Sequence, residues 1–310
     1  MKILRHSRPG GDVALAIGSF DGVHLGHQAM LAHVVAAARG RGLASAAVTF
    51  EPLPREFFAP RDAPARLSSL VEKLALIADA RIDTTVVEHF DRKFAAITSN
   101  EFEERIARHY RARWVMVGQD FRYGAGRRGD VASLRAAASR LGYEVHVLPA
   151  VEREGSRVSS TRVREALAAG DFPKAARLLG RPYAICGHVV HGKKRGRGMG
   201  FPTANVRLSR PRAALAGIYA VKCLGVATRG LEGVASLGTN PAVQDSGPAT
   251  LEAYLFDFSG DLYGRRISLE FVKKLRDEAH FASMDELAAQ IRRDCDAARE
   301  ALRNAERHES

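Results

Sequence analysis

Two histidines, His24 and His27, stand three residues apart within Gly18-Ser19-Phe20-Asp21-Gly22-Val23-His24-Leu25-Gly26-His27, directly after the apolar run Val13–Ile17. A strand ending there, a turn on Gly18 and Gly22 and a helix starting near Gly26 would leave backbone N–H groups and a positive dipole end facing an anion. Imidazoles at that spacing share one face and can donate to the same phosphate oxygens, while Gly26 lets a nucleotide approach the backbone closely. The chemistry this suits is charge developing at the α-phosphorus of a nucleotide. A lone His-x-x-His among eleven histidines would be coincidence; the preceding strand, the glycines and Asp21 make it a site.

Further clusters follow. Val117-Gly118-Gln119-Asp120-Phe121-Arg122-Tyr123-Gly124 closes a strand and gathers acid, aromatic and base on one loop. Ser159-Ser160-Thr161-Arg162-Val163-Arg164 opens a helix, where Ser160 is an ordinary cap and Arg164, one turn on, could hold a leaving pyrophosphate. Gly187 to Asn205 is dense in glycine and positive charge. Gly192 and its neighbours allow the backbone to wrap a phosphate, and Lys193, Lys194, Arg195 and Arg197 would offset its charge. No Gly-Lys-Ser/Thr occurs in the frame of a Walker motif.

The elements that must carry these residues change in character along the chain. Short apolar runs at 13–17, 44–49, 84–87, 114–117 and 143–148 read as strands. They alternate with amphipathic stretches at 28–38, 70–80, 101–110 and 131–141, with Thr98 and Glu101 as a capping box. Such alternation predicts a parallel α/β sheet with ligands at the strand carboxyl ends, where the histidine motif falls. Past Gly180-Arg181-Pro182 the pattern turns β-rich, at 183–191, 217–223, 233–237, 251–256 and 267–272, and predicts a small antiparallel barrel. Ser283 with Glu286 caps a long terminal helix over about 284–305. The expected domains are 1–180 and 181–310.

A chain of 310 residues holds two ordinary domains. Cys186, Cys223 and Cys295 are too scattered for a zinc or redox pair and odd in number for a disulfide framework, so they read as reduced. The apolar run before Gly18 is too short for a signal segment and no stretch approaches a membrane span, which makes the cytoplasm the expected location. The net charge of +12 is shared, with 27 basic and 20 acidic residues up to Gly180 and 20 and 15 after it. No basic tail or aromatic-interleaved stripe marks a nucleic-acid partner, and phosphate-bearing substrates account for the excess.

The histidine block resembles the His-x-Gly-His signature of the nucleotidyltransferase superfamily. In its longer form, with the 117–124 and 159–164 blocks and Thr49-Phe50-Glu51-Pro52-Leu53-Pro54, it resembles the FAD synthetase half of bacterial bifunctional riboflavin kinase/FAD synthetases. Phe201-Pro202-Thr203-Ala204-Asn205 resembles the Pro-Thr-Ala-Asn signature of riboflavin kinases, and Leu251 to Phe258 and Leu275 to Phe281 follow that pattern. The resemblance implies a Rossmann-like nucleotidyltransferase domain followed by a riboflavin kinase barrel, with ATP as co-substrate, Mg²⁺ as cofactor and FMN and FAD as products.

It further implies that His24, His27, Ser160 and Arg164 handle ATP phosphates and that Asp120 and Phe121 lie near ATP and flavin, with Phe50 lining the flavin side. In the second half it implies that Thr203 and Asn205 bind Mg²⁺ and ATP phosphates, hard oxygen donors for a hard cation. Glu252 would be the general base toward the ribityl hydroxyl, and Arg276 and Phe281 would bind flavin. Tyr123 stands where phenylalanine is common, Gly238-Thr239-Asn240-Pro241-Ala242 where Arg-Pro-Thr is frequent, and Gly198-Met199-Gly200 where Thr-Leu-Gly is. The expected partners are riboflavin, FMN and ATP, with a monomer or weak homo-oligomer. The competing readings are a riboflavin kinase with a vestigial first half and, more remotely, a flavin-binding regulator acting on nucleic acid.

Overall fold

The structure, a computed structural model, describes residues 1–5, 7–192, 200–238 and 250–309. The chain forms two compact units: Met1–Pro64 with Leu70–Ser159, and Ala65–Ser69 with Ser160–Ser310.

The first unit runs β1 (Lys2–Arg5), β2 (Val13–Ile17), α1 (Leu25–Arg41), β3 (Ala44–Glu51), α2 (Pro54–Phe58), α3 (Leu70–Asp79) and β4 (Thr84–His89). It continues through α4 (Arg92–Ala95), α5 (Ser99–Glu104), β5 (Ala112–Gly118), α6 (Val131–Leu141), β6 (Glu144–Leu148) and the short hairpin β7 (Glu152–Arg153) and β8 (Ser156–Arg157). The expected strands form a parallel sheet ordered β1-β4-β3-β2-β5-β6. β1, whose four residues carry too little apolar pattern to signal a strand, adds to one edge by pairing Lys2–Arg5 with 84–87.

The sheet is parallel because both its faces are covered, as its almost purely apolar strands require. Val13, Leu15 and Ile17 of β2 enter one core with Val48, Val86 and Val115, while Ala14 and Ala16 face the other with Leu31, Val34 and Trp114. α1 ends where Gly42 takes the left-handed conformation at φ 65° and its N–H bonds back to Ala38 O and Arg39 O. Thr98 and Glu101 form the expected capping box, with Glu101 N on Thr98 Oγ1 at 3.2 Å and Thr98 N on Glu101 Oε2 at 2.7 Å. The helix they open is α-helical only through Glu104 and widens to π spacing over Arg105–His109, a departure that amphipathic periodicity does not reveal.

The second unit begins with α7 (Ser160–Ala168) and α8 (Phe172–Leu179) and continues through β9 (Ala184–Val190), β10 (Thr203–Arg207), β11 (Gly217–Leu224), β12 (Leu231–Gly238), β13 (Thr250–Leu255), β14 (Arg266–Arg276) and α9 (Met284–Glu309). Its strands close into an antiparallel barrel ordered β10-β13-β12-β11-β14-β9. β10 is not among the expected strands; pairing with β9 and β13 makes it one. Leu251, Ala253 and Leu255 point inward, whereas Ile218, Ala220 and Val234 meet Cys295, Ala298 and Leu302 of α9. Ser283 Oγ accepts from Glu286 N at 3.1 Å, and Glu286 Oε2 returns to Ala282 N at 3.0 Å rather than to Ser283. Asp171 caps α8 by accepting from Lys174 N, and Gly180 at φ 71° ends it.

Candidate active sites

The strand order of the first unit reverses between β2 and β5: the chain steps outward from β2 through β3 to β4, then returns to β5 on the other side of β2. Ligands of open α/β sheets bind outside the carboxyl ends at such a switch point. The histidine loop leaves β2 and the Asp120 loop leaves β5, so the two flank one crevice.

Within the loop the turn is tighter than its glycines alone suggest. Gly22 takes φ 77°, but Phe20 and Val23 also lie in the left-handed region, at φ 49° and 39°. There a non-glycine residue is strained, a β-branched one most of all. Phe20 is fully buried beneath the turn and meets His27 edge-on at 5.3 Å, so it backs the histidine from within. Asp21 is also buried.

His24 is the N-cap of α1, its Nδ1 accepting from His27 N at 3.4 Å. With that lone pair engaged, the ring's proton sits on Nε2 and makes that atom a donor. The two imidazoles stack at 3.7 Å with 16° between planes. A Cβ on Gly26 would lie 3.2 Å from His24 Cε1 and Nδ1, so this glycine makes room for the ring that caps the helix. His27 Nδ1 is buried with no hydrogen-bond partner, an orphan that a bound polar group would relieve. Burial, then the charges of His24 and Lys73, push its pKa well below 6.5, so His27 is neutral at pH 7.

Phe50 at the end of β3 packs on Phe90 at 5.8 Å and Phe94 at 5.7 Å. Asp120 is exposed and paired with Arg157, and Phe121 stacks on Tyr123 at 5.5 Å. Gln119, Asp120, Phe121, Arg122, Arg127 and Asp130 line a cavity of about 340 Å³. The tyrosine at position 123 has a partner that explains it: its hydroxyl donates to buried Glu103 Oε1 at 2.6 Å and meets Ser133 Oγ at 3.0 Å. Lys73, on α3, went unmarked by any motif, yet it is buried with its Nζ on Ser19 O. A lysine in the inward register of an apolar helix was the available signal.

In the second unit Ser160 opens α7, and Arg164, one turn later, donates from Nε to Ala65 O at 2.6 Å. On the barrel, Thr203 and Asn205 share one face of β10, and the β10–β13 register sets Asn205 opposite Glu252. Thr203 Oγ1 lies 3.4 Å from Glu252 Oε2. Gly192 is lined up with them: a Cβ there would overlap the Asn205 carboxamide, so the bare backbone is what lets Asn205 stand where it does. Hydroxyl and carboxamide of β10 thus meet the carboxylate of Glu252, nearly fifty residues on in the chain, on the outer, half-buried face. Lys193, Lys194, Arg195, Arg197, Asn240 and Ala242 lie outside the described residues.

Arg276 ends β14 and is committed largely within the protein. Its Nε and Nη2 bind Asp294 of α9 at 2.9 and 2.7 Å, Nη1 donates to Asp277 O at 2.9 Å, and the guanidinium lies 5.7 Å from the Phe281 ring centre. The fork clasps the terminal helix and shelves Phe281 beside it. Among the described residues no helix is long and apolar enough to cross a membrane.

The chain thus joins an α/β unit with paired histidines at its switch point to a closed barrel bearing threonine, asparagine and glutamate on one face. Residues 7–162 match the model of the FAD synthetase family and residues 179–302 that of the riboflavin kinase family. The chain is 44% identical over 306 residues to the bifunctional riboflavin kinase/FMN adenylyltransferase of Escherichia coli (strain K12), covering 97% of each. It is 45% identical over 284 residues to that of Pseudomonas fluorescens, covering 91% of each. A solved Streptococcus pneumoniae structure described as a macrolide-efflux protein superposes with TM-score 0.78 at 28% identity, over 95% of this chain and 97% of that one. The protein belongs to the bifunctional riboflavin kinase/FMN adenylyltransferase family.

Proposed function

We propose that the chain makes both flavin cofactors in sequence, the barrel phosphorylating riboflavin with ATP to FMN and the α/β unit transferring AMP from a second ATP onto FMN, giving FAD and pyrophosphate. The observation that carries this is the joint presence of both family modules in one chain, matched end to end by bifunctional relatives.

For adenylyl transfer, a phosphate oxygen of FMN attacks the α-phosphorus of ATP, and the bond to the bridging oxygen of pyrophosphate breaks. The attacking phosphate is already ionised, so no base is required. What the site must supply is stabilisation of charge on the α-phosphoryl oxygens. His24 Nε2–H and neutral His27 are assigned that work, supported by the stacked rings and the orphaned His27 Nδ1. The N-terminal end of α1 and the turn Gly18, Phe20, Asp21 and Gly22 hold the nucleotide. Asp120 with the rings of Phe121 and Phe50 bounds the flavin side.

For phosphorylation, Glu252 accepts the proton of the terminal ribityl hydroxyl as that oxygen attacks the γ-phosphorus and ADP leaves. Thr203 Oγ1 and the Asn205 carbonyl, two oxygen donors on one face of β10, fit Mg²⁺ held by one or two protein ligands together with phosphates. When bound there, the ion neutralises and orients the phosphates. Gly192 borders the same ATP, and Arg276 and Phe281 border the flavin.

The functional division is placed at 1–180 and 181–310, supported by the family matches and by the left-handed stop at Gly180. A cytoplasmic location fits the three free cysteines. A monomer or weak homo-oligomer is the working assembly, with small molecules rather than nucleic acid as partners.

The test is a chromatographic time course with riboflavin, ATP and Mg²⁺. FMN followed by FAD is expected; accumulation of FMN alone would leave the first unit without its activity. His27→Ala should abolish FAD formation and spare FMN formation. Glu252→Gln should lose phosphorylation of riboflavin yet still adenylylate supplied FMN. Loss of both activities in either folded variant would contradict separate sites.

A further inference from the structure

Lys73 belongs to none of the motifs that mark the site, yet α3 turns it inward, where it is 1% exposed. A lysine so deeply placed is rare unless its charge is engaged. Its Nζ donates to Ser19 O at 3.2 Å, Thr49 Oγ1 at 3.0 Å and Phe50 O at 3.3 Å. Thr49 Oγ1 itself donates to Ser19 O at 3.2 Å. Ser19 lies in the histidine loop, whereas Thr49 and Phe50 end the adjacent strand β3.

That loop needs outside support. Phe20 and Val23, on either side of Asp21-Gly22, hold φ angles of 49° and 39°, and such backbone persists only where the surroundings over-determine it. Two donors converging on Ser19 O turn that carbonyl inward and set the peptide plane from which Phe20 departs. Phe20 in turn abuts His27, so the orientation imposed at Ser19 passes directly to the imidazole. A side chain that only filled core volume would need no ammonium, and its hydrogen bonds would not span the ends of two strands.

We propose that Lys73 is a positioning residue for adenylyl transfer: its buried ammonium pins the histidine loop to the end of β3, setting His24 and His27 in register with the edge that presents the flavin phosphate. This rests on assigning adenylyl transfer to the histidine loop.

Lys73→Met keeps the apolar stem and removes the donors. In the full chain, kcat for FMN adenylylation should fall about tenfold or more and KM for ATP should rise. Riboflavin phosphorylation by the same preparation should stay within about twofold of wild type. Thr49→Val, which keeps Lys73 but takes one donor from Ser19 O, should give a smaller loss in the same direction, and Thr49→Ser should restore activity. A merely structural lysine would lower the folded fraction without altering KM for ATP. Wild-type adenylylation kinetics in folded Lys73→Met, or in Thr49→Val should the former not fold, would overturn the proposal. His27→Ala separates the two failures: if it also keeps adenylylation, the site assignment falls and the proposal with it. If it abolishes adenylylation while Lys73→Met does not, Lys73 alone is misassigned.

Discussion

Replacing Gly192 by alanine tests the barrel site at its tightest point. The new Cβ would overlap Cγ, Oδ1 and Nδ2 of Asn205 together. Ordinary carbon contacts begin at about 3.5 Å, so the carboxamide must retreat by about 1 Å or rotate away. Gly192 is not in the left-handed region that excludes alanine, and the displaced group is the end of a side chain rather than backbone. The cost in stability should therefore be small, about 1 kcal/mol. The cost in rate should not be. A misplacement of about 1 Å in a group that orients phosphates is worth about 100-fold, or about 2.7 kcal/mol in the barrier. The assay is kcat/KM for riboflavin phosphorylation, with FMN adenylylation and the melting temperature measured on the same protein as controls. Kinase activity within about threefold of wild type, or a loss that simply tracks melting, would refute the reasoning that Gly192 exists to admit Asn205.

Tyr123→Phe removes a hydroxyl that donates to the buried Glu103 carboxylate; an unfolding titration should show about 1–3 kcal/mol lost, and an unchanged midpoint would contradict that role. His27, whose pKa is held well below 6.5, binds a proton more readily unfolded than folded. Stability should therefore rise with pH through the window from its native value up to 6.5, by at most about 1.4 kcal/mol per unit, and His27→Gln should flatten that slope in denaturant titrations at pH 5.5 and 7.5.

Much of this molecule is written in local pattern. The alternation of short apolar runs with amphipathic helices forces a parallel sheet, because strands apolar on both faces must be covered on both. Glycine and the cap residues then fix where those helices stop. His24 and His27 were legible for the same reason: spacing along one helix start is a local property, and so is the resemblance of the blocks around it. Local pattern also located Thr203, Asn205 and Glu252, but as separate motifs, and the π-widened turn at Arg105–His109 left no periodic trace.

Tertiary structure decided what no spacing encodes. Whether Asn205 faces Glu252 depends on the β10–β13 register, which is settled by which residues of β13 fill the barrel. That Tyr123 answers a buried glutamate and that Arg276 is spent largely on Asp294 are consequences of packing between separate elements of the fold. Lys73 makes the point most sharply. In sequence it is one lysine in a helix; only folding removes its ammonium from water, and the oxygens of Ser19, Thr49 and Phe50, gathered from two strand ends, help make that burial tolerable.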